Sequence, residues 1–384
     1  MHARGPVTPI PLTVLTGFLG AGKTTLLNRL VKDPALAGTA VIINEFGEIG
    51  LDHLLVEYVD DGVVILSSGC LCCTVRGDLV DALEKLLRDL DNGRVTFNRV
   101  MIETTGLADP APVLQTLMTH PYLVMRFRLD GVVTLVDAVN GLGTLDAHAE
   151  SVKQAAVADR IVLTKTDLAD TPERRIDKDR LIARLRALNP AAPILDSARG
   201  EADAGRLLYC GLYNPETKHP DVRRWLAQEA YEDVGHHGHG DHAPHAHDHG
   251  HHHDVNRHDD HIRSFCLAVD QAVPAAALEL FIELLRSVHG PSLLRLKGIV
   301  RLAETPDKPL VIHGVQHVMH PPAQLPTWPD EDRRTRIVFI VRDIEPRVIR
   351  ELFDAFLGNT IAPDRPDRAA LIDNPLMPFG GAGR

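Results

Sequence analysis

The chain lacks most of what would mark it as exported, membrane-bound or disulfide-stapled. Its first residues do not show the order of basic, apolar and small residues of a secretory signal. No apolar run approaches the length of a membrane span. Only five cysteines occur, three of them within positions 70–73. That distribution excludes a disulfide framework. These absences lead to the expectation of a cytoplasmic protein with reduced thiols and no membrane contact. No strongly basic segment exists, and 41 Lys and Arg against 52 Asp and Glu leave a net charge of −11. Nucleic acid is therefore excluded as a main partner. There is no internal repeat. What is present is a 384-residue chain with 44% hydrophobic residues, enough for the cores of two or three domains.

Residues 17–24 read Gly-Phe-Leu-Gly-Ala-Gly-Lys-Thr. Residues 11–16 predict a short buried strand, and Leu26, Leu27, Leu30 and Val31 recur with the spacing of a helix. The glycine string thus lies in the strand–loop–helix context of a phosphate-binding loop. Gly17, Gly20 and Gly22 leave room for the backbone to approach phosphates. The N–H groups from Ala21 to Thr25 open the helix and face the anion, aided by the helix dipole. Lys23 reaches the outer phosphates, and the Thr24 hydroxyl is a ligand for Mg2+.

Strand and helix patterns alternate up to about residue 230. Strands are predicted at 41–44, 63–66, 99–103, 131–137, 160–164 and 193–196, with helices near 76–90, 110–119, 147–157 and 173–188. This order predicts an α/β fold, a mostly parallel sheet covered by helices, with ligands at the carboxyl ends of the strands. Residues 236–261 hold twelve histidines and too little apolar surface for a core; they read as a flexible linker. A second unit follows: strand 262–269, helix 274–288, strands near 293–303 and 309–318, strand 336–341 and helix 345–357. It reads as a small α+β domain of split βαβ type. The expected division is 8–231 for the nucleotide unit, 232–261 for the linker, 262–358 for the second unit and 359–384 for a loose tail.

Further nucleotide determinants follow the phosphate loop. Val100 to Glu103 is an apolar strand ending in a carboxylate that can hold Mg2+ directly or through water, and the Gly106 N–H is placed to sense a γ-phosphate. Thr164-Lys165-Thr166-Asp167 follows the strand at 160–163. A carboxylate at Asp167 accepts the two hydrogen bonds that guanine N1–H and N2–H offer and adenine does not. The Lys165 stem can pack across the base, and Ser197-Ala198 can add backbone contacts. Asn44 to Gly50 occupies the place of a mobile switch segment. There Glu45 and Glu48 are candidates for Mg2+, for positioning water or for a transition metal.

Cys70, Cys72 and Cys73 precede the start of a helix, where thiolate pKa values fall. Three thiolates suit Zn2+, Cu+ or another soft or borderline ion. A structural zinc site has four closed ligands, so three local cysteines fit an exchangeable shell better. Water, Glu45 or a histidine such as His120 is the candidate fourth ligand. A redox thiol site is the competing reading. Cys210 and Cys266 sit singly among apolar residues and read as core. The histidine tract can raise the local metal concentration without forming one defined site.

The ordered set Gly17 to Thr25, Asn44-Glu45-Phe46-Gly47-Glu48, Cys70-Leu71-Cys72-Cys73, Glu103-Thr104-Thr105-Gly106 and Thr164-Lys165-Thr166-Asp167 resembles the CobW-like metallochaperone GTPases. The resemblance spans roughly residues 10–358, including Leu294-Arg295-Leu296-Lys297-Gly298 of the second unit. It implies GTP hydrolysis coupled to binding and delivery of a metal, most often zinc, with cobalt or another divalent ion in some members. It implies metal ligation by Cys70, Cys72 and Cys73. It also implies phosphate and Mg2+ contacts from Lys23 and Thr24, and guanine selection by Lys165 and Asp167. Thr164 stands where the usual guanine motif has Asn. The expected catalytic set is Lys23, Thr24, Glu45 and Glu103, and the expected partner is a metal-dependent client protein. Oligomeric state is left open, a dimer included. Two rival functions stay open at this point: a P-loop small-molecule kinase, which would prefer ATP, and a non-catalytic zinc store built on the histidine tract.

Overall fold

The computed structural model describes residues 9–44, 55–59, 63–68, 75–208, 261–316 and 318–358. The first part runs β1 (Ile10–Gly17), α1 (Lys23–Leu30), β2 (Thr39–Asn44), β3 (Leu55–Val59), β4 (Val63–Ser68), α2 (Val75–Asp91), β5 (Arg99–Glu103) and α3 (Ala111–Thr119). It continues through α4 (Pro121–Arg126), β6 (Phe127–Asp137), α5 (Gly141–Ala147), α6 (Ala149–Ala156), β7 (Arg160–Thr164), α7 (Pro172–Leu188), β8 (Ile194–Asp196) and α8 (Ala204–Leu207). Its sheet has eight strands in the order β3-β4-β2-β5-β1-β6-β7-β8. Every neighbouring pair is parallel except β3 and β4.

Alternate side chains of the central strands feed the two faces. Leu12, Val14, Ala40, Ile42, Val100 and Ile102 pack on Leu79, Leu83 and Leu86 of α2 and Leu114 of α3. Leu15, Val41, Met101 and Leu135 face the other way, onto Leu26, Leu27 and Leu30 of α1. Burial on both faces is why Val100 to Ile102 of β5 form an apolar run; all five positions of the strand are buried, the charged Arg99 and Glu103 at its ends included. The chain leaves β1 toward β2 on one side, and β6 lies on the other. The carboxyl end of β1 is thus the switch point of the sheet, the place where such folds bind ligands.

The second part comprises β9 (Ile262–Val269), α9 (Ala275–His289), β10 (Leu293–Val300), β11 (Leu310–Val315), β12 (Val318–Met319), β13 (Ala323–Gln324), β14 (Thr335–Arg342) and α10 (Pro346–Phe356). Its sheet order is β12-β11-β10-β14-β9, with β13 added to β11. β14 lies antiparallel between β9 and β10, which makes the β9–α9–β10 unit a split βαβ. Phe281 and Leu285 of α9 and Phe353 of α10 cover one face. The opposite face, through Leu294, Ile299, Val338 and Ile340, packs on Ala156 and Ala191 of the first part. Covered on both sides, β10 is buried at all eight positions.

A buried ionic joint sits in that interface. The Asp159 carboxylate accepts from Val132 N at 2.9 Å. It also pairs with Arg295 and, at 3.0 Å, with Lys297, both from β10. The Arg295 guanidinium further donates to the Val157 carbonyl. Burial alone would raise the Asp159 pKa, but Arg295 and then Lys297 hold it far below the usual carboxylate range. Burial is also the main cause that draws Lys297 down to about 8, so its ammonium stays protonated at neutral pH. The stacked rings of His313 and His320, 4.3 Å apart, lie nearby. Burial lowers both pKa values, that of His320 to about 4, and keeps the pair neutral.

Several features differ from the sequence reading, among them short elements such as α8 and β13 that it did not contain. β3 is an antiparallel hairpin partner of β4, joined through Asp60-Asp61-Gly62, a turn signal that the reading passed over. α4 and α5 are helices of six and seven residues, too short to show a period. Cys266 is half-buried rather than core, because β9 is the edge strand of its sheet; Cys210 lies outside the described residues. Asp159→Ala would leave two buried cations without their anion. The expected outcome is a loss of about 3–5 kcal/mol in urea unfolding; a loss under about 1 kcal/mol would show that the charges are not paired.

Candidate functional site

The site begins where β1 ends. Gly17 has φ 142°, and a Cβ there would lie 2.5 Å from the Leu135 carbonyl oxygen, so only glycine fits. Gly22 is left-handed and caps α1, which presents the first N–H groups of that helix to the loop. The Lys23 ammonium donates to the carbonyls of Gly17 at 2.9 Å and Phe18 at 3.3 Å, spanning the cradle a phosphate would enter.

The carboxyl end of β5 supplies the second wall. Leu15 and Glu103 are paired across the β1–β5 ladder. Thr104 N donates to Leu15 O at 2.9 Å, and the Thr104 and Thr16 hydroxyls bond at 2.8 Å. This places the buried Glu103 carboxylate 2.9 Å from the Thr24 hydroxyl, which donates to it. A hydroxyl and a carboxylate at hydrogen-bond distance beside a phosphate cradle form a hard oxygen donor set that fits Mg2+. Three residues on, Gly106 lies so close to the loop that a Cβ would stand 2.5 Å from Leu19 N. Gln154 of α6 holds that turn, donating to Gly106 O at 3.2 Å and Ala108 O at 3.0 Å.

The loops after β6, β7 and β8 form the far wall. The Thr164 hydroxyl donates to Ala21 O at 2.8 Å and so ties the end of β7 to the phosphate loop. Lys165 is left-handed, with φ 57°, and its ammonium pairs with Asp137 at 2.7 Å. Burial would raise the Asp137 pKa, but the Lys165 bond and backbone N–H groups of Val139 and Asn140 lower it overall. Asp167 is exposed in the single turn Thr166–Leu168. Below that turn the Thr166 hydroxyl donates to Asp196 at 2.5 Å, and Asp196 also accepts from Ala198 N. Ser197-Ala198 is thereby fixed beside the 164–167 loop.

The structure thus brings together Gly17, Gly20, Ala21, Gly22, Lys23, Thr24, Thr25, Glu103, Gly106, Thr164, Lys165 and Asp167 at one sheet edge. Glu45, Glu48, Cys70, Cys72 and Cys73 lie outside the described residues. The cysteines fall in the connection from β4 to α2. β4 is parallel to β2 and stands three strand spacings from β1, about 14 Å, with its carboxyl end at the same edge. His120 closes α3, with Nε2 4.0 Å from Glu84 and a buried Nδ1 that has no partner among the described residues. Glu84 is nine residues into α2, about 14 Å along the helix, so His120 lies level with the middle of α2. Among the described residues, no group of three or more His, Cys, Asp or Glu side chains is arranged to hold a metal ion.

The sequence reading missed several contributors. Asp137 orients Lys165; a carboxylate closing a buried strand was the available signal. Gln154 had no signal, nor did His148, whose ring stacks on Phe18 of the phosphate loop at 4.4 Å.

The family described as CobW/HypB/UreG, nucleotide-binding domain, matches residues 11–196, and the Cobalamin synthesis protein cobW C-terminal domain matches residues 262–357. The zinc chaperone YjiA of Escherichia coli K12 is 33% identical over 347 residues, covering 90% of this chain and 98% of that protein. The zinc chaperone CobW of Pseudomonas aeruginosa is 31% identical, covering 88% of this chain and 89% of its own. The Zn(II)-bound structure of the E. coli YjiA GTPase superposes with a TM-score of 0.66 at 31% identity, covering 91% of this chain and 99% of that one. The fold and the site define a P-loop nucleotide-binding protein with an appended α+β unit. The chain belongs to the CobW family.

Thr164→Val removes the hydroxyl that joins the two walls and leaves Ala21 O short of a donor. The expected outcome is a loss of about 1–2 kcal/mol in thermal or urea unfolding; unchanged stability would contradict the bridge.

Proposed function

We propose that the chain is a GTP-hydrolysing metallochaperone that carries zinc, or another divalent ion such as cobalt, on Cys70, Cys72 and Cys73 and passes it to a metal-dependent client protein. The observation that carries this reading is the Thr164–Ala21 bond, which sets the Lys165–Asp167 turn across the phosphate loop from the Thr24–Glu103 pair. A nucleoside triphosphate lying between them meets every group at once. The zinc chaperones and the GTPase structure among the relatives support the same reading.

In this reading the chain's residues divide the work. The N–H groups from Ala21 to Thr25 and the Lys23 ammonium take the phosphates, Lys23 turning from the Gly17 and Phe18 carbonyls to the phosphate oxygens. Thr24 and Glu103 hold Mg2+, which when bound neutralises charge on the β- and γ-phosphate oxygens. Gly106 donates its N–H to the γ-phosphate. Glu45, at the start of the switch segment, positions the attacking water. Asp167 accepts guanine N1–H and N2–H, and Lys165, held by Asp137, covers the base. Release of the γ-phosphate frees the turn at Gly106 and the switch segment, and with them the thiolate loop and its zinc.

The base wall gives the sharpest test. Asp167→Asn replaces one acceptor with a donor, which opposes the guanine amino group and matches the carbonyl that xanthine carries there. The expected outcome is at least a hundredfold loss of GTP affinity, with a gain for XTP, in a competition titration. Retention of GTP affinity, or an equal affinity for ATP in the wild type, would overturn guanine selection and favour the kinase reading.

A further inference from the structure

Beyond the site itself, the turn that follows Gly106 reaches into the C-terminal unit. Asp109 is the meeting point. Its Oδ1 accepts from Ala111 N at 3.0 Å and thereby sets the start of α3. Its Oδ2 accepts from Lys153 of α6 at 3.0 Å. The Gln316 side-chain amide, in the connection between β11 and β12, donates to both carboxylate oxygens at 3.1 and 3.2 Å. Gln316 is itself held in place. Its N–H donates to Leu294 O at 3.1 Å, and its backbone is left-handed with φ 52°. Gln154 grips the same turn from the other side through Gly106 O and Ala108 O.

Apolar packing follows the same route. Val315 and Val318, on either side of Gln316, belong to one buried cluster with Val113, Leu114 and Leu117 of α3 and with Leu12 and Val14 of β1. The turn 104–109, α3 and the β11–β12 hairpin are therefore linked by both polar and apolar contacts. In this arrangement Gly106 already stands against Leu19 of the phosphate loop. This approach to Leu19 defines the closed form of the turn.

We propose that Asp109 and Gln316 are positioning residues that transmit the presence of the γ-phosphate from the Gly106 turn to the β11–β12 hairpin of the C-terminal unit. This inference rests on the guanine-nucleotide reading of the site given above. Gln316 favours the closed turn, so GTP binding and a fixed hairpin support each other, and coupling of this kind is reciprocal. Loss of the γ-phosphate relaxes the turn, withdraws Asp109 from Gln316 and loosens the hairpin. A surface of the C-terminal unit far from the nucleotide then differs between the GTP and GDP forms, which is what a client would need to distinguish a loaded protein from a spent one.

The test uses the full chain and two variants. Gln316→Asn keeps a residue tolerant of the left-handed backbone but shortens the amide away from Asp109. Gln316→Arg keeps a donor with sufficient reach. Hydrogen exchange is followed on the peptides spanning β11 and β12 with GTPγS or GDP bound, and affinities for both nucleotides are titrated. Wild type is expected to exchange more slowly there with GTPγS than with GDP. Gln316→Asn is expected to lose that difference and to lower the GTPγS-over-GDP preference about fivefold, with GDP affinity unchanged. Gln316→Arg is expected to retain both. Identical exchange under two nucleotides that both bind, or a Gln316→Asn variant indistinguishable from wild type, would overturn the relay alone. Failure of either nucleotide to bind wild type would overturn the underlying reading of the site.

Discussion

The ladder between β1 and β5 is the constraint on which the rest depends. Leu15 is paired with Glu103, and the Thr16–Thr104 hydroxyl bond closes the ends of the two strands at 2.8 Å. Because the strands are parallel and in fixed register, the loops after them leave the sheet side by side. One loop becomes the phosphate cradle and opens α1. The other carries Glu103, Gly106 and Asp109. A one-residue slip in that register would turn Glu103 to the opposite face of the sheet and separate it from Thr24. Gly106 is the consequence, since it lets the second loop approach Leu19 of the first where a Cβ would collide; Gly17 does the same for β1 against Leu135 of β6.

The second sheet is joined to the first by a different kind of force. Its apolar face packs on Ala156 and Ala191, but the orientation is set by Arg295 and Lys297 converging on Asp159. Buried ion pairs add little net stability compared with apolar packing, yet they penalise any misdocked arrangement that strands a charge. Asp159 stands at the entrance to β7, whose other end delivers Thr164 and Lys165. The joint that fixes the C-terminal unit thus lies at the start of the strand whose other end carries the Thr164–Asp167 turn.

Much of this architecture was readable from residue patterns. The phosphate loop, β5 and β7 announce themselves through largely apolar runs that end in glycine, Glu103 or Thr164, because strands buried on both faces carry few polar residues between their ends. The split βαβ unit was readable for the same reason, its strands and two helices being long enough to show their periods. What escaped depended on tertiary approach. Asp137 meets Lys165, Gln154 meets Gly106 and Gln316 meets Asp109 across 28, 48 and 207 positions of sequence. β3 escaped because it is a short edge hairpin, and Cys266 was misjudged because an apolar neighbourhood in sequence does not reveal an edge strand. Cys70, Cys72 and Cys73 lie outside the described residues, in the part of the chain between β4 and α2.

The central claim is that nucleotide state and the thiolate loop are energetically linked. The most direct measurement is a zinc titration of the full chain saturated first with GTPγS and then with GDP, repeated with Cys72→Ala to isolate the thiolate site. The account predicts at least tenfold tighter zinc binding in the GTPγS form, with that difference absent from the variant. Equal zinc affinity in the two nucleotide forms would contradict it.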